Sequence, residues 1–589
     1  MSYLDPIRLH FTGRFQADPS TVNNTPENFD NATFDPANGS WNATGSGAWR
    51  LVNCSVTRVC YADGTSTVSS SDDSAVGLRV IGANERVAGK LVDLDSQQQM
   101  VSQIWGLIVR LTNGTVDLAE GPFKVAAFSD LWVRATQGDA DQKMPLGAFY
   151  QSVIGPVEWG DTKGSRFLEE LRAATKDGML SIKFNVDGYQ PNQTPDFTYG
   201  RICGTIGPAY ADEPNHFVLG RHLGGAAVPF MRFMPCVVDQ KRKRVLADFG
   251  NALFTTLPGG PLKDVGDVSL GYVDTAGTFQ SLGALAYRDP NFYETTAGVQ
   301  VFPPDRDLTK DELKALASSA MAVANGSSIV MRENLDGLHV RADAFVFRLY
   351  PGDSAEVELY ATQYGELLSN AEISVFLDPS GLQGSDTPPL IVGVPAKAIG
   401  GFDPNKRVIA KKGRATLTIT ASDPGTPRQF IDGQVYGVRY LPAAIANAAS
   451  GAFVNRWDFI SLLVWSQYEL DHPPAWHDDM QPIFTQYANL YPVMDTIIDL
   501  SDYEDVAKHA GLLSFAFGLP DADPNQMPVT RDLSPGKRKA ILQWLNTKGP
   551  DGKPLLGTPA GALESVQRAA AGKDDELFHI KSGRVLPKG

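Results

Sequence analysis

The chain has 589 residues, 43% hydrophobic and 20% charged, enough for about three to four domains with a core each. Its formal net charge of −15 opposes association with nucleic acid or an anionic membrane. The amino-terminal MSYLDPIRLHFTGRF has no basic segment followed by an apolar one, and no later run reaches about 18 apolar residues, which predicts a soluble, unexported, cytoplasmic protein.

In chain order, residues 7–15 read as a strand. The Asn-, Gly-, Pro- and Thr-rich stretch to residue 50 reads as surface turns, because such residues favour left-handed dihedrals and side-chain-to-backbone bonds. Short β-type runs such as WRLVNCSVTRVCY, IWGLIVRL, LSIKFNVDGY and RICGTIGPAY then recur, predicting a β-rich N-terminal domain over residues 1–327. SRFLEELRAATKDG interrupts them as a helix with Ser165 as N-cap and Gly178 as stop, and Thr309 and Glu312 stand at capping-box spacing before another. The basic run at 241–244 sits between two strand-like runs and reads as a solvated hairpin turn. Residues 328–470 alternate apolar and polar residues as a β-sandwich of antiparallel strands would. Residues 471–549 carry the longest helical patterning, with Ser534 capping a last helix that starts at Pro535. Residues 550–589 read as a tail with one short helix at 563–571. The predicted fold is thus mainly β and multidomain, with a C-terminal all-α module.

The common nucleotide, phosphate-loop, nucleophile-elbow and zinc-helix signatures are absent from the sequence. Cys54, Cys60, Cys203 and Cys236 are too scattered for a disulfide framework or a paired zinc site and read as reduced structural thiols. Glu213 with His216, and Glu576 with His579, have the spacing of di-iron ligands, but Pro214 disfavours a helix at the first pair and no four-helix bundle surrounds either. No metal or cofactor is expected. Asp93 and Asp95 in VDLD form a polar group with Gln103 that could hold a cation or act as paired carboxylates, but they read rather as a strand-end turn with solvated acids. His10 alternates with apolar residues and reads as a hydrogen-bonded core histidine. The His/Asp cluster at 471–479 is split by Pro473-Pro474, and helix capping explains its acids. Arg531 and Asp532 read as a buried ion pair fixing the Met527-Pro528 loop. Trp41, Trp49 and Trp159 lie in loop-like contexts, where a binding module would expose aromatic rings.

Within the helical module, Asp479, Pro482 and Ile483, then Met527, Pro528, Leu533, Ser534, Ile541, Trp544 and Leu545, keep a frame that resembles a c-type cytochrome domain. Tyr487, Leu490 and Tyr491 stand where that frame has two cysteines and the histidine ligand, so covalent haem attachment is impossible and packed side chains are expected instead. More widely, LDPIRLHFTGR, VGLR with VDLDSQQQMVSQI, the GTIGPAY to GRHL segment and MPVTRDLSPGKRKAILQWL resemble the N-terminal region of the iminophenyl-pyruvate dimer synthase family of violacein and chromopyrrolate biosynthesis. In that family the oxidative coupling of amino-acid-derived imines is attributed to a ferritin-like region further along. The resemblance implies a stand-alone accessory or scaffold component of natural-product biosynthesis, lacking that catalytic region and working beside a ferritin-like or other oxidase on a small-molecule metabolite. One alternative is an enzyme in its own right, an oxidoreductase or metabolite-modifying protein with a site in the N-terminal β domain, drawn from His10, Asp93, Asp95, His216, His222, Arg531 and Asp532. The other is a ligand- or carbohydrate-binding module.

Overall fold

The structure, a computed structural model, describes residues 2–19, 26–39, 42–82, 88–138, 143–225, 231–446 and 458–559. The expected helix at 563–571, the pair Glu576 and His579, and Trp41 lie outside them. The described chain is mainly β and multidomain.

Eight strands, Arg8–Ala17, Ala48–Cys60, Gly89–Asp93, Ser102–Trp105, Ala126–Val133, Leu146–Ile154, Leu180–Asp187 and Tyr199–Pro208, pair antiparallel in chain order. The first also pairs with the last. They form a closed up-and-down barrel, and closure leaves its strands without a free edge. Shorter strands extend the same sheet to 13. On the last barrel strand a Cβ at Gly200 or Gly204 would lie 2.3 Å from the ring of Phe15 or Phe11. These are the residues directly opposite on the first strand, so the missing side chains leave room for two aromatic rings to fill the interior. Helix Arg166–Ala174 is capped by Ser165, whose hydroxyl accepts from the Leu168 N–H. It packs Phe167, Leu168 and Leu171 into the barrel's hydrophobic core. The helix ends before the expected stop, and Gly178 takes φ 70° in the turn that follows.

A second, eight-stranded sheet runs from Arg221–Gly225 to Ser328–Arg332 around its own core, which includes Leu223, Met234, Val245 and Phe249. Residues 241–244 contain the turn of its hairpin between Met234–Asp239 and Arg244–Asp248. Two sheets with two cores therefore precede the sandwich, and the hairpin from Met321–Asn325 to Ser328–Arg332 carries the second sheet past the expected boundary at 327. The barrel meets the second sheet through a buried polar layer, in which Lys183 Nζ donates to Asp248 Oδ1 at 2.9 Å and to the Ala297 carbonyl at 2.7 Å.

The β-sandwich has two five-stranded sheets around one core. Its pairing departs from the all-antiparallel expectation: Val346–Leu349 runs parallel to Phe459–Val464. The chain reaches Phe459–Val464 only after the strands between them have been laid down, so no hairpin links the two.

Helices Gln481–Leu490, Tyr503–Lys508, Ala510–Gly518 and Pro535–Asn546 follow. Trp476, Phe484, Tyr503 and Trp544 form their aromatic centre, with ring centroids 5.6 to 6.4 Å apart. Tyr487, Leu490 and Tyr491 are buried in the same core. Ser534 caps the last helix, with Pro535 at its first position. All four cysteines are free and buried. Among the described residues no helix is long and apolar enough to cross a membrane.

Candidate functional site

Along an up-and-down barrel, strand ends alternate between the two mouths. One mouth collects the ends of Arg8–Ala17, Gly89–Asp93, Ala126–Val133 and Leu180–Asp187. A cavity of about 530 Å³ lies there, walled by Phe15, Trp49, Phe128, Leu131, Tyr150 and Tyr189. Phe184 lies against Trp49 and Tyr150, at centroid distances of 5.3 and 5.2 Å. Trp49, the first residue of the run WRLVNCSVTRVCY, stands in strand Ala48–Cys60 and is buried, not presented on an exposed loop.

Four carboxyls line this cavity, Asp93, Asp95, Asp187 and Asp532. Two have cationic partners. Asp187 pairs with Arg201 at 2.7 Å and Arg134 at 3.1 Å, and Asp95 pairs with the buried Arg428. Asp95 also accepts from the N–H groups of Gln97 and Gln98. Asp95 is therefore not the solvated turn carboxylate that the sequence suggests, because its turn is docked against the sandwich through Gln97 and Gln98.

Asp93 and Asp532 are different. Asp93 accepts from the Ser102 hydroxyl. Burial pushes its carboxyl up to about 7, against the pull of Ser102 and of Arg348, and the nearby Asp95 pushes it further the same way. Burial also raises Asp532, although Thr530 and Tyr487 donate to it. Thr530 spends its single proton on Asp532, so Tyr491 must be the donor in its short contact with the Thr530 hydroxyl. Tyr487 and Tyr491 thus hold Thr530 and Asp532 over the barrel mouth.

The mouth loops explain the position. The Asn-rich stretch contains a short 3-10 turn, Pro26–Phe29, whose Phe29 packs into the helical core. Gln486 donates to the Phe29 carbonyl at 2.8 Å. In the run after VDLD, Gln97 donates to the carbonyls of Gln383 and Leu390 at 2.6 and 2.8 Å, and Gln98 donates to the Gln383 carbonyl at 2.6 Å.

The remaining predicted residues lie elsewhere. His10 is buried in the polar layer outside the barrel, 3.0 Å from the Thr205 hydroxyl, and burial and nearby cations hold its pKa well below the usual imidazole range. His222 stacks on His339 at 4.1 Å, and burial likewise keeps it neutral at physiological pH. His216 contacts Asp343 at 3.3 Å and, like Arg531, lines a separate cavity. The expected Arg531–Asp532 pair does not form. Arg531 adopts φ 52°, which sends its guanidinium to the carbonyls of Asp521, Asp523 and Val529, away from the oxygens that Asp532 turns toward Thr530 and Tyr487. His472 contacts Asp471 and Asp479 at 2.9 and 3.2 Å. Among the described residues no His/Cys/Asp/Glu group is arranged to hold a metal.

The chain matches no known family profile and no curated protein. Two solved structures are distantly similar. The S-layer protein SbsC domains 4 and 5 share 9% identity over 42% of this chain and 97% of that one, with a TM-score of 0.14. The surface layer protein SbsC domains 1–6 share 8% identity over 60% and 53%, with a TM-score of 0.15.

Proposed function

We propose that the barrel mouth binds a small aromatic molecule bearing a hydrogen-bond donor, and that Asp93 exchanges a proton with it. One observation carries this reading: a carboxyl poised near neutrality in an aromatic-walled cavity at the open end of a closed barrel. The N-terminal β domain then has a site of its own, and the reaction class that fits is proton transfer at the bound molecule. The helical unit acts on this reading as a haem-less, cytochrome-c-like lid. The stretches that resemble the dimer synthase family support a biosynthetic setting, since VDLDSQQQMVSQI and MPVTRDL meet at this mouth. In that setting the protein holds an amino-acid-derived metabolite beside an oxidase.

The neutral fluorescent amine N-phenyl-1-naphthylamine tests the site. Its emission is expected to rise on binding the wild-type protein. Leu131→Trp should fill the cavity and abolish the rise without loss of fold, and Asp93→Asn should remove the pH dependence of binding near pH 7. Unchanged binding by a folded Leu131→Trp protein would refute the site. A pulldown that recovers no oxidase or biosynthetic enzyme would remove the partner.

A further inference from the structure

A second cavity, of about 590 Å³, lies where the barrel, the sandwich and the helical unit meet. It backs onto the barrel mouth. Ser102 lines the first cavity and Gln103 the second; Thr530 and Asp532 line the first and Arg531 the second.

Its chemistry is opposite. Arg348 donates to Gln103 Oε1 and to the Asp93 carbonyl, both at 2.6 Å, and Arg531 donates to three main-chain carbonyls. Among the described residues both guanidiniums are thus met by neutral oxygens, and their positive charges have no carboxylate in contact. Both lie near the Trp105 ring, at 5.7 and 6.0 Å from its centroid. Burial lowers each guanidinium to about 10, so both stay charged at neutral pH. The other charged groups are accounted for: Arg538 pairs with Asp521 at 2.7 Å, His216 contacts Asp343, Asp353 accepts from the Tyr350 N–H, and Lys124 is exposed.

Three donors point the same way. Among the described residues Trp105 Nε1, Arg348 Nε and Arg538 Nε are buried without an acceptor, His216 Nδ1 faces only Asp343 at 3.3 Å, and no buried side-chain oxygen of the lining is left without a donor. A buried N–H without a partner is destabilising, and the two buried cations have carboxylates only at a distance, Asp95 and Asp93 for Arg348 and Asp521 and Asp523 for Arg531, with none in contact. An incoming oxyanion removes both penalties. Phe345 and Phe347 give the same cavity an apolar side.

We propose that this junction cavity is a binding site for a small organic anion, its oxyanion held by Arg348, Arg531 and Trp105 Nε1 and its apolar body against the phenylalanines. Carboxylate and phosphate share this chemistry.

Titration calorimetry with benzoate, phenyl phosphate and neutral benzamide, each to about 10 mM, distinguishes them. At least one of the two anions should bind, at least about tenfold more tightly than benzamide; the stronger anion identifies the oxyanion. Arg348→Gln should weaken that binding at least about tenfold. Trp105→Phe keeps the ring, removes only the indole N–H, and should weaken it several-fold, which covers the case in which Arg348→Gln fails to fold. Leu131→Trp, in the barrel mouth, should leave it unchanged, so failure here and failure of the barrel site are separable. Equal binding of benzamide, no binding of either anion, or full anion affinity in the folded Arg348→Gln or Trp105→Phe protein would overturn the proposal.

Discussion

Asp93 reports its surroundings through pH. An acid whose pKa rises on folding holds its proton more tightly in the native state, so the native state loses stability as pH climbs from the unfolded value near 4. For Asp93 the loss runs to about pH 7 and then levels off. Its slope is at most about 1.4 kcal/mol per pH unit; water inside the cavity reduces this. Asp532 is shifted in the same direction and adds to the loss. Asp93→Asn still accepts from Ser102 but carries no charge. Urea midpoints measured from pH 4 to pH 8 should therefore fall less steeply for Asp93→Asn than for wild type, with the variant the more stable of the two by about 1–3 kcal/mol at pH 8. Equal slopes would place Asp93 in water.

At the level of elements, the closed ring depends on the contact between the first and last barrel strands, where Phe11 faces Gly204 and Phe15 faces Gly200. Gly204→Ala places its Cβ 2.3 Å from the Phe11 ring, with the Lys183 carbonyl 2.8 Å away on the other side. The strand has no room to retreat, and a cost of about 1–3 kcal/mol is expected. Phe11→Leu made together with Gly204→Ala should recover part of it, as a double-mutant cycle of thermal unfolding would show. The alternation within each of these strands is legible in the sequence, but their closure into a ring is not: pairs such as Phe11 with Gly204 join segments that no local period connects. The same reason hid the division of the chain ahead of the sandwich into two sheets, the second ending at Ser328–Arg332. Capped helices were readable because Ser165, Thr309 and Ser534 act within three residues of themselves. Of the site, Asp93 and Asp95 stand out in the sequence as paired acids and Asp532 as the neighbour of Arg531, yet their convergence is purely tertiary. The aromatic wall had one local signal, the inward series Leu146, Ala148 and Tyr150 at period two.

For the whole molecule, the barrel mouth is where three units are fastened together, and Arg428 is the charged link from the sandwich to Asp95, beside the amide contacts of Gln97 and Gln98. It is fully buried and donates to Asp95, Gln97, and the carbonyls of Asp432 and Gly433. Arg428→Met removes the cation but leaves Asp95 buried, with only the N–H groups of Gln97 and Gln98 to satisfy it. A lone charge in that position costs about 3–5 kcal/mol. The turn at 94–101 should respond by pulling away from the sandwich, so hydrogen exchange should accelerate there and in the facing segment 382–390. Strands Leu180–Asp187 and Tyr199–Pro208, held by the barrel's own ladder, should exchange as in wild type. N-phenyl-1-naphthylamine should bind more weakly, because Asp95 and Ser96 line the mouth from that turn. Asp95→Asn added to Arg428→Met removes the stranded charge and should restore much of the stability. It should not restore the slow exchange at 382–390, since the guanidinium that joined the two units is still missing. Uniform acceleration across all barrel strands in Arg428→Met would instead mean that barrel and sandwich unfold as one body, and that the mouth has no separate fastening.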